Sequence, residues 1–356
     1  MATPTAIDQR SDLAHPRLPY SPSPVDKFTA WVDRLPGPAW AYYIALYGVL
    51  LSIDVIGRSA GSSLQLPPLF TLVFLTALSF DLFFIHYLDR YALSALERFR
   101  KGMPIDGSFD EVSYRLSTMP ILPVLVNSLI GALVGVIFLV VIPYDFQLNL
   151  LSLTQSHPAM WFYHLMTIVA FAAGGCVIYH TWHQLRVANH LYQTHTDVDF
   201  FQQEPLYAFS DLSARTAIGL LFITFGWTLS APQLVAMPSV VVFFVALNTI
   251  SGLTFVYPLL GIHGVLQQKK NALLAQNLGL FQKAAAVLHT QIESGQPTNI
   301  DNLNKAMQSL ELERQLIERT PTWPWNPEAP RTVMAAILLP LVLWVVQSVF
   351  QRIMLP

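Results

Sequence analysis

Apolar residues along this chain gather into long unbroken runs and do not alternate with polar ones. Seven runs stand out: Ala39–Ile56, Pro68–Leu88, Ile121–Ile142, Ala159–Thr181, Thr216–Leu229, Ser239–Leu260 and Thr332–Met354. A helix rises about 1.5 Å per residue and needs roughly twenty apolar residues to cross hydrocarbon about 30 Å thick, so the runs predict transmembrane helices. The fifth is the shortest. Ser230-Ala231-Pro232 closes it, and its helix has to begin inside Asp211–Arg215 to reach across. The pattern predicts an all-α polytopic membrane protein with seven transmembrane helices.

Past Pro258 and Gly261 the period changes. Leu266, Leu273, Leu274, Leu278, Phe281, Ala285 and Leu288 recur at threes and fours, with Gln267, Lys269, Lys270, Gln276 and Lys283 on the other side, which predicts an amphipathic helix in water. Ser294-Gly295-Gln296-Pro297 breaks it, and Thr298 to Asp301 offers caps for a return helix bearing Leu303, Met307, Leu310, Leu312 and Leu316. A hairpin of this length buries its apolar stripe against a neighbour, in the same chain or in another subunit. Pro321, Pro324, Pro327 and Pro330 then forbid regular helix, and Trp323 and Trp325 suit a membrane interface ahead of the last crossing. Four segments result: an arm over 1–37, spans one to six over 38–260, the hairpin and Trp-Pro-Trp re-entry over 261–330, and the last helix over 331–356.

Composition agrees with this pattern. The chain is 53% hydrophobic and 12% charged, against roughly 25% charged for a soluble domain. Charge placement then sets orientation. With seven spans, eighteen Lys and Arg fall on the amino-terminal side of the membrane and two, Arg58 and Arg352, on the other. The positive-inside rule therefore puts the amino terminus, the hairpin and the helical extensions of the spans in the cytoplasm and the carboxyl terminus outside, in a plasma or inner membrane. Omitting the fifth span destroys that segregation. The first 37 residues hold Pro16, Pro19, Pro22, Pro24 and Pro36 without an apolar core, so they predict a flexible or loosely docked arm and not a signal peptide. A single cysteine, Cys176, excludes a disulfide framework; a net charge of −2 says nothing about partners, and no nucleic-acid partner is expected.

Chemistry-bearing residues are few. Asp81 falls within the second span, where a carboxylate is costly and faces a partner such as Arg90 or Arg98, or a wet cavity. Asp54 lies near the outer end of the first span, within reach of headgroups. His180 and His183 share a helix face, with His190 and His195 beyond; the spacing makes a metal site conceivable, but interfacial histidines explain it better, and no metal or cofactor is expected. No phosphate loop, dinucleotide fingerprint or nucleophile elbow occurs, so an enzyme is not expected. Two other classes compete with a channel. One is an intramembrane metal- or carboxylate-dependent enzyme using Asp81, His86, His164, His180 and His183; the other is a secondary transporter with Asp81 as its ion site. In the last span, Gln347 and Gln351 share a face with Leu343 and Phe350, which fits either a helix seam or a water-facing pore.

Seven spans with long extensions of spans four to six, and an interrupted entry before span seven, resemble the insect odorant and gustatory receptor superfamily, including its distant non-insect members. Gln347-Ser348-Val349-Phe350 echoes the end of that family's carboxyl-terminal pattern. The resemblance implies a homotetrameric, ligand-gated, poorly selective cation channel, assembled through cytosolic helices. Its pore and gate would be Leu343, Val346, Gln347, Phe350 and Gln351. It also implies a small-molecule pocket in the outer half of each bundle, with Phe70, Phe74, Phe162, Tyr163, Asn248 and Ser251 as candidate walls.

Overall fold

The computed structural model describes residues 19–59, 64–102, 109–153, 158–194, 204–231, 233–234, 237–294, 300–323, 331–335 and 338. Among them the chain is helical throughout: α1 (Pro24–Val32), α2 (Ala39–Arg58), α3 (Leu69–Gly102), α4 (Phe109–Ser117), α5 (Ile121–Val141), α6 (Tyr144–Leu150), α7 (Pro158–Thr194), α8 (Glu204–Ser230), α9 (Pro238–Glu293) and α10 (Ile300–Arg319). Five helices are long and apolar enough to cross a membrane: Ala39–Arg58, Leu69–Arg100, Ile121–Val141, Pro158–Leu191 and Tyr207–Trp227. The start of α9, Pro238–Leu253, is apolar but shorter. The fifth apolar run is thus part of a full-length helix. It begins at Glu204, ahead of the expected start inside Asp211–Arg215.

The outward faces of these helices are those of a protein solvated by lipid. On α5, Leu122, Leu125, Leu129, Leu133, Ile137 and Val140 are exposed at steps of three and four. A continuous apolar stripe of that length has no place in water. The opposite face of α5 meets α7 at very short range. A Cβ on Gly131 would fall 2.1 Å from the Phe171 carbonyl oxygen, and one on Gly175 would fall 2.3 Å from that of Asn127. Within lipid, where there is no hydrophobic drive between helices, such backbone proximity supplies the packing.

Beyond α5, the bundle is ordered by α7, which packs along α3 and α9 as well, while α8 fills the space between α3 and α9. Two apolar cores result. One joins the far half of α3 (Leu88, Leu96, Phe99), α4, the far half of α7 (Val177, Leu191), the start of α8 (Phe209, Leu212), Leu266 and Ile317. Glu97, Arg98 and Arg100 surround it on the exposed side. The other joins Leu50, Phe70, Phe74, Phe138, Ile142, Leu151, Tyr163 and Trp227 at the opposite end.

The arm is docked over its described part. Ser23 and Asp26 form a reciprocal capping box at the start of α1, with Pro24 in the first turn. The Asp26 carboxylate also accepts from the Met119 N–H at 2.8 Å, and Ser23 N–H donates to the Met119 carbonyl at 3.1 Å. Over these residues the arm is docked, with a buried carboxylate among its fastenings. At the other extreme, α9 runs unbroken through Pro258 and Gly261 for 56 residues, about 84 Å. It ends at Glu293, and α10 packs along it in the opposite direction. Asn277 Nδ2 donates to the Leu310 carbonyl at 3.0 Å and to Glu313 at 2.9 Å, and Lys270 reaches the carbonyls of Glu318 and Thr320 at the end of α10.

Candidate functional site

Between the two cores, α3, α5, α7, α8 and α9 leave a cavity of about 360 Å³. Its walls are almost wholly carbon, and Phe171, Trp227, Phe243 and Phe244 give them aromatic character. Phe171 holds the aromatic group together, its centroid 5.7 Å from Trp227 and 5.6 Å from Phe243. The polar groups are Asp81, Asn127, Thr224 and Ser251. Three of these are occupied with their own helices: Asn127 Nδ2 donates to the Pro123 carbonyl, Thr224 to Leu220 and Ser251 to Leu247.

Asp81 is different. It is 3% exposed, and its Oδ1 has no hydrogen-bond partner. Twelve residues into α3, it lies about 18 Å along the helix, inside the stretch long and apolar enough to cross a membrane. Neither of the arginines expected to pair with it does so. Arg90 bonds to Asp33, and Arg98 lies 3.7 Å from Asp211 and donates to the Tyr91 hydroxyl. Opposite the carboxylate stands Gly174, where an added Cβ would lie 3.9 Å from Asp81 Oδ2 and meet nothing else.

Asp54 does not reach headgroups. It is buried beside Arg58, whose Nε donates to Asp54 Oδ2 at 2.5 Å, while the other guanidinium nitrogens donate to the Leu151 carbonyl at 2.6 Å and Thr71 Oγ1 at 2.9 Å. This pair knits α2, the start of α3 and the turn after α6. An intramembrane carboxylate with a cation on its own helix is satisfied; Asp81 is not.

The histidines are dispersed. His180 Nε2 donates to Asp89 Oδ1 at 2.7 Å. His86 accepts from the Tyr43 hydroxyl at 2.7 Å and donates to Asp33 at 2.9 Å. His183 donates to the Arg115 carbonyl at 3.0 Å and sits 3.2 Å from the Tyr20 hydroxyl. His164 donates to Gln147 at 2.9 Å, near the opposite end of α7. Among the described residues no cluster of three or more metal-ligating side chains forms. These bonds fasten the arm and α2 to α3 and α7. Tyr20, in the arm, has its phenol pushed up to about 12 by burial.

Of the walls that the resemblance implies, Ser251 lines the cavity. Phe70, Phe74 and Tyr163 instead pack on one another, with centroids 5.1 to 6.2 Å apart, and Phe162 lies against the same core. Asn248 is exposed, its amide turned back to the Phe244 carbonyl. The cavity is displaced from that aromatic group toward α8 and the middle of α7. Asn127, Gly174 and Trp227 were absent from the expected set, because the rotation of each helix about its axis decides which residues face inward. Trp323 stacks on the His263 ring at 4.1 Å and packs with Ala214, Ala217 and Val333. Trp325, His195 and the pore candidates Leu343, Val346, Gln347, Phe350 and Gln351 lie outside the described residues.

No protein-family model matches this chain, and neither does any curated protein or solved structure.

Proposed function

We propose that this chain is a ligand-gated, poorly selective cation channel with seven spans and a cytoplasmic amino terminus, working as a homotetramer around a shared pore. The cavity carries this reading. A largely apolar, half-open space of about 360 Å³ lined by five helices has the size and lining of a small-molecule site. In this reading the start of α9 is the sixth crossing and the run Thr332–Met354 the seventh, with Leu343, Val346, Gln347, Phe350 and Gln351 along the pore. The positive-inside rule supports the orientation.

Assembly draws support from the hairpin. Leu278, Leu280, Val287, Ile292, Leu312 and Leu316 stand exposed on α9 and α10, which is more apolar surface than a solitary hairpin leaves in water. A second copy covering it matches the expected role of the cytosolic helices.

A carrier is the second reading, favoured by Asp81. An unpaired carboxylate in an intramembrane cavity is the kind of group that couples substrate movement to a proton or ion. Native mass spectrometry of the detergent-solubilised full chain separates the two. Four copies fit the shared pore, whereas a stable monomer leaves the last helix without a pore to line and turns the account toward the carrier.

A further inference from the structure

The geometry points to a protonated amine with a compact apolar body as the occupant of the cavity, its ammonium on Asp81 and its body among Phe171, Trp227, Phe243 and Phe244. This inference rests on the cavity being the ligand site and adds the chemistry that the site selects.

Four observations converge on it. Asp81 is buried, and among the described residues its Oδ1 has no hydrogen-bond partner and no cation pairs with it. A carboxylate in such surroundings requires a proton or a cation. Next, Oδ2 stands opposite Gly174, which also lines the cavity, so α7 puts no side chain over the carboxylate at that position. Third, the remaining polar groups, Asn127, Thr224 and Ser251, already bond within their own helices and offer a metal ion too few oxygens for the six or more that a hard cation takes. A monovalent ammonium asks for less: one carboxylate balances its charge through a charge-assisted hydrogen bond, and the hydroxyl oxygens of Thr224 and Ser251 keep lone pairs for its other N–H groups. Finally, aromatic faces line the rest of the space, and these attract an ammonium as well as packing on an apolar body. The volume stands near the lower bound of small-molecule sites, which restricts the body to about one ring.

The test is equilibrium binding to the full chain in lipid nanodiscs, using 2-phenylethylamine, cyclohexylmethylamine and hexylamine, each against the alcohol of the same skeleton. The amines are expected to bind at least tenfold more tightly than the alcohols. Asp81→Asn is expected to weaken amine binding by roughly ten- to a hundredfold, the range of a hydrogen bond to a charged group, and to leave the alcohols unchanged. Gly174→Leu, which places a side chain against the carboxylate, its Cβ 3.9 Å from Oδ2, is expected to weaken both. Equal affinity of amine and alcohol overturns the inference, as does amine binding that survives Asp81→Asn, or absence of binding by all three amines. Failure here is separable from failure of the channel. Currents gated by the alcohols keep the channel and discard the amine, whereas Asp81-dependent amine binding without any current keeps the site and discards the channel.

Discussion

Arg58 and Asp54, four residues apart on α2, form an ion pair in which both side chains are 2% exposed. Removing one partner leaves the other buried without compensation, which costs roughly 3–5 kcal/mol. Asp54→Ala and Arg58→Ala are each expected to lower the thermal midpoint in detergent sharply. The double replacement Asp54→Leu with Arg58→Met should recover much of the loss, and equal destabilisation by single and double variants would contradict the pairing.

Asp26 makes the docking of the arm pH-dependent. Its carboxyl is held above the ordinary 3.8, chiefly by burial, against the lowering effect of the Met119 and Ser23 donors. A raised folded value means that the folded state keeps the proton longer than the unfolded chain. The associated stability is complete below the ordinary carboxylate value and is lost as pH rises through the folded one. Protection of Pro24–Val32 against hydrogen exchange, corrected for intrinsic rate, should therefore be greater toward about pH 4 than near pH 7. Asp26→Asn keeps an acceptor oxygen and should flatten the profile; a wild-type profile already flat would remove Asp26 from this role.

Gly131→Val and Gly175→Val should separate α5 from α7, because each added Cβ meets a backbone carbonyl within 2.3 Å. A loss of folded protein, or destabilisation of about 2 kcal/mol or more, is expected. Gly48→Ala, where nothing lies within 4 Å, is the control and should be neutral or slightly stabilising. Normal yield and melting of both valine variants would show that the helices are further apart.

Leu312→Glu and Leu278→Lys change exposed positions on the hairpin. Both should split the oligomer and leave the subunit folded. Leu274 is a poorer probe, since it packs against the subunit's own core. An intact tetramer carrying both charges would move the assembly surface elsewhere.

Hydropathy alone makes four of the five membrane-length helices and the hairpin legible, since length and period survive any helix rotation. The fifth run needed charge arithmetic as well, because Asp211 and Arg215 interrupt a helix that continues through them. The capping box Ser23-Pro24-Val25-Asp26 is visible in the sequence, yet what Asp26 binds, the Met119 backbone, is 93 residues away. Likewise the four-residue spacing of Asp54 and Arg58 was there to be seen, while hydropathy places them at a headgroup. The site was the least legible part. Asp81 is conspicuous in an apolar run, but its isolation depends on Asp33, Asp211 and Tyr91 taking the nearby arginines.

Planar-bilayer recording from the purified full chain tests the central claim most directly. The account predicts cation currents that a cavity ligand such as 2-phenylethylamine opens, that Gly174→Leu renders insensitive to it, and whose unitary conductance Gln347→Ala alters. A purified, correctly folded protein that passes no current under any of these conditions, while accumulating the amine in liposomes, would contradict the channel and make this a carrier.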